Sequence, residues 1–146
     1  MWQMKKIAIG SDHAGYALKN ALIKHLQSKG YAVTDYGTDS EERADYPDFA
    51  HLVAEAIEKK AFEYAVLVCG SANGISMAAN KHQGVRCAIC WQPEIATLAR
   101  AHNDANIISF PARFISLADA TIGLDNFLGT EFEGGRHSLR VDKINR

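Results

Sequence analysis

The chain has 146 residues, enough for one domain that buries roughly two-thirds of the surface exposed by the unfolded chain. Its formal net charge is −1, so no excess of positive charge favours a nucleic acid or an anionic membrane as partner. No apolar run approaches the ~20 residues needed to span a bilayer. We therefore expect a soluble globular protein without a nucleic-acid or membrane partner.

The start of the chain and its cysteines both bear on the cellular compartment. Residues 1–6 lead directly into a strand pattern and carry no signal peptide. The three cysteines are an odd number and lack the spacing of a disulfide scaffold, which agrees with a reducing compartment. We expect a cytoplasmic protein.

Strand-like and helix-like segments alternate along the chain. In the first half we predict a strand at 6–10, a helix from 14 that ends before Gly30, a strand at 31–36, a helix at 49–57 and a strand from 64 to 68 or 69. In the second half we predict a helix after Gly74, a strand at 85–90, a helix from Pro93, a strand at 106–110 and a helix capped by Ser116. Residues 134–146 are polar and basic, with few residues suited to a core.

Strict alternation of this kind predicts a parallel sheet with helices on both faces. The expected fold is a three-layer α/β/α Rossmann-like sandwich with a five-stranded parallel sheet in the order 2-1-3-4-5. We predict a single domain over residues 1–146, without an internal repeat or linker. Because the C-terminal tail, about residues 130–146, has so little core of its own, we expect it to pack on a partner subunit.

Ligands of such sheets bind beyond the carboxyl ends of the strands. That rule selects four loops here: Ser11–His13, Cys69–Gly74, Trp91–Pro93 and Pro111–Arg113. We expect a binding site to be built from these segments.

The loop Cys69-Gly70-Ser71-Ala72-Asn73-Gly74 is the most informative of the four. A thiol lies where a strand ends, and the loop turns into a helix whose first N–H groups can bind an anion or developing negative charge. The helix dipole is expected to lower the pKa of that thiol, so one segment offers a base and an oxyanion site. The alternative is that Cys69 is only a small buried hydrophobic residue. The loop lacks both the Walker motif and Gly-x-Gly-x-x-Gly, so it supports nucleotide binding weakly.

Other polar residues have two interpretations each. Asp12 either binds a sugar hydroxyl or caps the first helix, while His13 is placed to approach an anion. His102, beside Asn103, follows a helix and lies at the end of that helix opposite the four loops. Within a single chain this position predicts that His102 is a helix cap. It would join the Cys69 loop only if a dimer brought it there from a second chain.

Arg136 and Arg140 have the i, i+4 spacing of one helix face, which suits a phosphate, although a solvated basic end is the more common case. Cys87 and Cys90 are three residues apart on a predicted strand and would point to opposite faces. The sequence therefore gives little support to a metal or redox site at these two cysteines.

Five motifs occur in order along the chain. They are Ile9–Gly15, Asp45–Pro47, Cys69–Asn80, Arg100–Asn106 and Glu133–His137. With them, the chain from about residue 4 to residue 140 resembles the ribose-5-phosphate isomerase B family, also called the RpiB/LacAB sugar-phosphate isomerases. The resemblance implies reversible interconversion of ribose 5-phosphate and ribulose 5-phosphate, without a metal or other cofactor.

The resemblance also implies roles for particular residues. Cys69 would be the base that moves a proton between C1 and C2, the N–H groups from Gly70 to Gly74 would stabilise the enediolate, and Ser71 would add a hydroxyl. His102 would open the furanose ring. The implied substrate-binding residues are Asp12, His13, Tyr46, Gly70, Ala72, Asn73, Gly74, Asn103, Arg113, Arg136 and Arg140, of which His13 and the three arginines would hold the phosphate. The family assembles its sites across a homodimer, alone or within a tetramer, and this would bring His102 and the tail to a second chain.

Three positions depart from the family pattern. Ala72 and Pro111 stand where many members have glycine, and Ile75 stands where some members carry a glutamate base, which leaves Cys69 as the base. Other readings stay open at this point. They are an isomerase of a hexose 6-phosphate such as allose or galactose 6-phosphate, a non-catalytic sugar-phosphate sensor, and a thiol redox protein that uses Cys87 and Cys90.

Overall fold

The structure, a computed structural model, describes residues 5–145; the predicted leaderless start at residues 1–4 and Arg146, the last residue of the predicted tail, lie outside the described residues. The strands are β1 (Lys6–Ser11), β2 (Ala32–Asp35), β3 (Tyr64–Cys69), β4 (Cys87–Ile89) and β5 (Ile107–Pro111). The helices are α1 (Tyr16–Ser28), α2 (Tyr46–Glu58), α3 (Asn73–Ala79), α4 (Pro93–Ala101), α5 (Leu117–Gly129) and α6 (Arg136–Ile144). The predicted alternation of strands and helices is confirmed.

The five strands form one parallel sheet in the order β2-β1-β3-β5-β4. The predicted parallel α/β sheet is confirmed, but the expectation that β4 lies beside β3 is wrong. β5 pairs with β3 over its whole length, from Ala65 opposite Ile107 to Cys69 opposite Pro111. All residues of β5 are buried whereas β4 is only half-buried, so the more apolar strand occupies the interior of the sheet and β4 the edge.

Successive strand residues pack into two separate cores, one on each face of the sheet. Ile7 and Ile9 join the side chains of α1, α4 and α5, whereas Ala8 between them joins those of α2 and α3. This alternation follows from the two-residue period of a strand. The same rule holds in the segment predicted as the fourth strand, residues 85–90. Cys87 packs against the α2–α3 core and Cys90 belongs to the other core, which confirms that the two thiols face opposite sides.

The outer edge of β4 is covered by a side chain rather than by another strand. The Asn80 side chain follows α3, accepts the N–H of Cys87 at 2.7 Å and donates its own amide to the carbonyl of Cys87 at 3.0 Å. The side-chain amide thereby takes the place of a peptide group of a neighbouring strand. Both outward-facing backbone groups of Cys87 are satisfied in this way.

Backbone hydrogen bonds hold three of the four predicted loops together at the carboxyl edge of the sheet. The Asp12 N–H donates to the Val68 carbonyl at 3.3 Å, and the Arg113 N–H donates to the Gly70 carbonyl at 3.1 Å. The fourth loop, Trp91–Pro93, follows β4 and is separated from β3 by β5. The corrected strand order therefore removes this loop from the predicted site.

The tail forms a helix, α6, that packs in part on its own chain. His137 and Val141 are buried, and the Gln83 side chain donates to the Asn145 carbonyl at 2.8 Å. Leu139, on the opposite side of α6, is 62% exposed, and Ile144 at the end of the helix is 55% exposed. Among the described residues, no helix is both long and apolar enough to cross a membrane.

Candidate active site

A cavity of about 440 Å³ opens where β1, β3 and β5 end. Its lining residues are Asp12, His13, Ala14, Tyr46, Cys69, Gly70, Ser71, Gly74, Arg113 and Phe114. The strand-end rule thus locates the cavity, and all of these residues except Ala14 and Phe114 are among the predicted site residues. Phe114 is 74% exposed and directly follows Arg113. Its position in that loop is the sequence signal from which it could have been predicted as a site residue.

Cys69 ends β3 and is 5% exposed at the base of this cavity. Burial raises the pKa of the Cys69 thiol above its ordinary value, and this effect outweighs the backbone N–H groups of Ile75, Ala72 and Ser71, which hydrogen-bond the sulfur and lower it. The nearby Asp12 carboxylate adds to the increase. The predicted net lowering of this pKa is therefore wrong, because the sequence reveals the N–H donors but not the depth of burial.

Ala72 and Asn73 shape the turn from Cys69 into α3. Ala72 has φ 65° and ψ −8°, the left-handed conformation, and is fully buried immediately before the helix. A residue with a Cβ atom adopts this conformation at a cost of about 1 kcal/mol relative to glycine. The Asn73 N–H donates to the Ser71 hydroxyl at 3.3 Å. The left-handed turn directs the N–H groups of the loop towards the Cys69 sulfur.

Two glycines allow side chains to approach the loop closely. A Cβ atom on Gly74 would lie 2.5 Å from the Tyr46 ring, and one on Gly70 would lie 3.3 Å from the Arg113 guanidinium group. Tyr46 is the first residue of α2, so its ring forms one wall of the cavity against the start of α3. Glycine at position 74 is therefore required by contact with Tyr46.

Asp12 and His13 are held by their own chain. One Asp12 carboxylate oxygen accepts the Gly15 N–H at 3.1 Å and caps a short 3-10 turn, His13–Gly15, that leads into α1, so the helix-cap interpretation is correct for that turn and that oxygen. A carboxylate has a second oxygen, so the cap does not preclude contact with a ligand. Nδ1 of His13 lies 3.2 Å from both the backbone nitrogen and the backbone oxygen of Ala44, which fixes the ring while it lines the cavity.

The remaining predicted residues do not line the Cys69 cavity. His102 caps the C-terminus of α4, and its ring stacks on His137 with centroids 4.2 Å apart and planes inclined by 13°. Asn103 lines a different cavity, of about 470 Å³, and Arg136 and Arg140 lie exposed on α6. Within one chain, the predicted site is thus divided into two parts.

The second part contains residues that the sequence names only within a motif. Glu133 Oε1 lies 3.8 Å from His102 Nε2 and 3.7 Å from His137 Nε2. Burial lowers the pKa of His137, the positive charges of His102 and Arg136 lower it further, and Glu133 partly opposes them. His137 is therefore neutral over more of the pH range than an ordinary histidine.

Neither Cys87 nor Cys90 lines the Cys69 cavity, although Cys87 lines the cavity that contains Asn103. Burial raises the pKa of Cys87 to about 11 and that of Cys90 to about 12. Both thiols are consequently protonated at neutral pH, the form that is least suited to metal binding or disulfide exchange.

Comparison with known proteins assigns the chain to a family. The family model described as Ribose/Galactose Isomerase matches residues 7–144. Ribose-5-phosphate isomerase B of Escherichia coli is 45% identical over 141 residues, covering 97% of this chain and 95% of the relative. D-erythrulose-4-phosphate isomerase of Pectobacterium atrosepticum is 42% identical over 144 residues, covering 97% and 93%. The crystal structure of ribose-5-phosphate isomerase B from Mycoplasma genitalium with bound ribulose-5-phosphate matches with a TM-score of 0.94 at 41% identity, covering 99% of this chain and 97% of that one. The chain belongs to the ribose-5-phosphate isomerase B family, as its five sequence motifs indicate.

Proposed function

We propose that this chain interconverts ribose 5-phosphate and ribulose 5-phosphate through an enediolate, without a metal or other cofactor. The observation that carries the proposal is the position of Cys69. Its buried thiol lies at the base of a cavity that offers backbone N–H groups on one side and the Arg113 guanidinium on another. A base, an oxyanion site and an anion-binding group thus converge on a space large enough for a sugar phosphate.

In this reaction the Cys69 thiolate takes the proton from C2 of the aldose. The electron pair of the C2–H bond forms the C1–C2 double bond, and the carbonyl oxygen on C1 becomes the enediolate oxygen. The proton of the C2 hydroxyl then moves to the oxygen on C1, the proton held by Cys69 is delivered to C1, and the oxygen on C2 becomes the ketone oxygen, so the sugar keeps its formula. The N–H groups from Gly70 to Gly74, with the Ser71 hydroxyl, stabilise the enediolate, and each such donor contributes about 3 kcal/mol in a dry site.

A second copy of the chain supplies the residues that one chain holds apart. His102 opens the furanose ring, Asn103 binds a hydroxyl, and Arg136 and Arg140 join His13 and Arg113 at the phosphate. The position of His102 at the far end of α4 and the exposed Leu139 on α6 support this arrangement, because both would be covered by a partner. We therefore propose a homodimer with shared active sites.

The length of the sugar is the least constrained element of the proposal. Relatives of this chain include enzymes named for a pentose phosphate and for a tetrose phosphate, and the family model is named for ribose and galactose. A hexose 6-phosphate isomerase is therefore the main alternative. The presence of both Cys69 and His102 in one chain argues against the subunit type that needs a different partner chain, and the presence of Cys69 argues against a non-catalytic sensor.

Turnover with EDTA present tests the proposal directly. The protein is assayed with ribose 5-phosphate, allose 6-phosphate, galactose 6-phosphate and D-erythrulose 4-phosphate under identical conditions. We expect the highest kcat/KM for ribose 5-phosphate and no loss of rate in EDTA. Preference for another sugar phosphate would keep the reaction and replace the substrate, whereas binding without turnover of any of them would support the sensor. Rate loss in EDTA that a metal ion restores would contradict the metal-independent mechanism.

A further inference from the structure

His102, Glu133 and His137 form a group of metal-ligating side chains outside the Cys69 cavity. His102 follows α4, Glu133 lies before α6, and His137 is in the first turn of α6. One ligand atom from each residue lies within 4.8 Å of the other two. Within residues 5–145, these are the three His, Cys, Asp or Glu side chains that meet this spacing.

We propose that this group, the His102–Glu133–His137 site, binds a zinc-class divalent cation through two imidazole nitrogens and one carboxylate oxygen. Glu133 Oε1 lies 3.8 Å from His102 Nε2 and 3.7 Å from His137 Nε2. In a tetrahedral zinc site with bonds of 2.0–2.1 Å, neighbouring ligand atoms are about 3.3 Å apart. Glu133 is therefore within about half an ångström of the required separation from each histidine.

The carboxylate is not committed to either imidazole by a hydrogen bond. A separation of 3.7–3.8 Å exceeds hydrogen-bond length, so binding of an ion does not have to break a formed hydrogen bond between them. A pair of histidines with one glutamate is also the ligand set of open zinc sites, in which the fourth position holds water. Mg²⁺, which prefers oxygen ligands, is expected to bind much more weakly.

The backbone holds all three residues in place. The N–H groups of His102, Glu133 and His137 donate to the carbonyls of Leu98, Ala101 and Gly134 at 2.9, 3.0 and 3.1 Å. The Glu133 hydrogen bond joins its loop to the end of α4 that carries His102. Side-chain rotation is therefore the main adjustment that an ion requires, and the approach of the stacked rings to one ion occurs through such rotation.

The surrounding charges act in both directions. The carbonyl end of α4 and the Glu133 carboxylate favour a cation, whereas Arg136 and Arg140 on α6 oppose it. In one chain the side chains of His102 and Glu133 are 36% and 60% exposed, and in the proposed dimer they face the shared substrate cavity, so water screens the two arginines and gives an ion access. We therefore expect moderate, reversible binding rather than a permanently held metal.

The consequence for activity rests on the proposed function. If His102 opens the sugar ring, it needs a free Nε2 lone pair or the proton on that nitrogen, and a bound cation would occupy that position. Zn²⁺ at this site would therefore inhibit the isomerase, and removal of Zn²⁺ by EDTA would restore the rate. Inhibition through this site needs Glu133, whereas inhibition by a metal ion bound to the Cys69 sulfur does not. A Glu133 variant therefore distinguishes the two.

A second group of the same residue types provides a matched control. His51 Nδ1 lies 2.6 Å from His82 Nε2, and His82 Nδ1 lies 2.6 Å from Glu58 Oε1. These atoms are hydrogen-bonded, and the two nitrogens are too close together for both to bind one ion. Glu58→Gln thus makes the same chemical change as Glu133→Gln at a group that is not expected to bind Zn²⁺.

Calorimetric titration of metal-stripped protein with Zn²⁺ tests the site without reference to turnover. We expect one Zn²⁺ per chain bound with moderate affinity in the wild type, at least tenfold weaker binding for Glu133→Gln and His137→Gln, and unchanged binding for Glu58→Gln. Titration with Mg²⁺ should show no comparable binding. Wild-type affinity in Glu133→Gln would overturn the proposal, and so would equal weakening by Glu58→Gln. Glu133 is exposed, so its variant retains the fold even if His137→Gln does not.

Inhibition is then measured for each protein relative to its own rate without Zn²⁺. We expect Zn²⁺ to inhibit the wild type and Glu58→Gln alike, and Glu133→Gln to need at least tenfold more Zn²⁺ for the same inhibition. Equal inhibition of Glu133→Gln would overturn the link to His102. A protein that binds Zn²⁺ as expected but turns over no sugar phosphate would contradict the proposed function and leave the metal site supported. Turnover of a sugar phosphate without Zn²⁺ binding would support the proposed function and contradict the metal site.

Discussion

At the scale of single residues, Cys69 shows how position and environment can have opposite effects on one group. The residue lies at the strand end that the sequence predicts, with backbone N–H groups around its sulfur. The sequence cannot show that the same strand end is almost completely covered, and this burial raises the pKa of the thiol. In the free protein at neutral pH, most of the thiol is therefore protonated, and formation of the thiolate would limit the reaction that we propose.

The raised pKa of Cys69 predicts a distinct pH dependence. The reaction needs the thiolate, whose fraction increases about tenfold per pH unit below the pKa, so kcat/KM should rise with pH from about 7 to about 9. Cys69→Ala should lower kcat by about 10³-fold and abolish this rise with pH, while a sugar phosphate still binds. Rates over this pH range and calorimetric binding check both statements.

Cys90→Ala is the matched control for this experiment. It removes another buried thiol by the same substitution, outside both the Cys69 cavity and the cavity of Asn103, so both the rate and the pH profile should be retained. Near-wild-type turnover of Cys69→Ala, or a flat profile of the wild type, would refute the assignment of Cys69 as the base.

The motif residues divide between chemistry and architecture at the same scale. In the segment Arg100–Asn106, His102 is exposed enough to reach a ligand, whereas Arg100 is buried and pairs with Asp104 at 2.7 Å. The Asn106 side chain accepts the N–H of Arg86 at 2.8 Å, at the start of the β4 segment. The sequence predicted the segment as a unit, but only the contacts distinguish its structural residues from those available to a ligand.

At the scale of secondary structure, the hydrophobic pattern predicted the elements well and their arrangement less well. The spacing of apolar residues gave the five strands and their intervening helices, because that spacing follows directly from strand and helix geometry. It did not give the order of β4 and β5, since pairing depends on how each strand packs on both faces. The signal was present in composition: β5 carries Ile107, Ile108 and Phe110, whereas β4 consists of Cys87, Ala88 and Ile89.

The contact between α2 and α3 predicts a steric effect. Gly74→Ala places a Cβ atom 2.5 Å from the Tyr46 ring, so one of the two helices or the ring must move. We expect a loss of about 1–3 kcal/mol in the free energy of unfolding and a lower kcat/KM, because the start of α3 carries the N–H donors near Cys69. Urea unfolding and steady-state rates provide the measurements.

Two further variants test whether the Tyr46 ring is the cause. In a Tyr46→Ala background, Gly74→Ala should cost little stability, since the three atoms nearest to the added Cβ all belong to the Tyr46 side chain and are then absent. Gly129→Ala, in α5 with no atom within 4 Å of the added Cβ, should be neutral or stabilising by up to about 1 kcal/mol. An equal cost of Gly74→Ala in both backgrounds would rule out the contact with Tyr46 as its origin.

At the scale of the whole molecule, the division of the predicted site is the main finding. The strand-end rule located the half that contains Cys69, because that half depends on the topology of one chain. The half with His102, Arg136 and Arg140 follows from no rule about a single sheet, and only the family resemblance connected it with the first. The structure of one chain shows where each half lies, and we propose that two chains bring the halves together in one site.

Hybrid dimers test that union. A Cys69→Ala chain and an Arg136→Ala chain, carrying different affinity tags, are refolded together and the hybrid is isolated through both tags. If each site takes Cys69 from one chain and Arg136 from the other, the hybrid has one intact site and should show about half of the wild-type activity at low substrate concentration. Each single variant alone should be strongly impaired.

The control hybrid combines Cys69→Ala with Arg113→Ala. Both residues line the same cavity of one chain, so neither site of this hybrid is intact and no activity should return. Recovery in the control hybrid, or its absence in the test hybrid, would exclude a site shared in the proposed way.

The Asn80 contact with β4 has a consequence for how this molecule avoids unwanted association. An open strand edge is a template on which another chain can polymerise. β4 lies at one edge of the sheet, and the Asn80 side chain closes that edge at Cys87. Pairing of two chains through the β4 edge is thereby discouraged, whereas helices and loops, including His102 and α6, stay available for contact. A residue within the Cys69–Asn80 motif thus closes a strand edge, so part of the motif serves the architecture of the sheet rather than its chemistry.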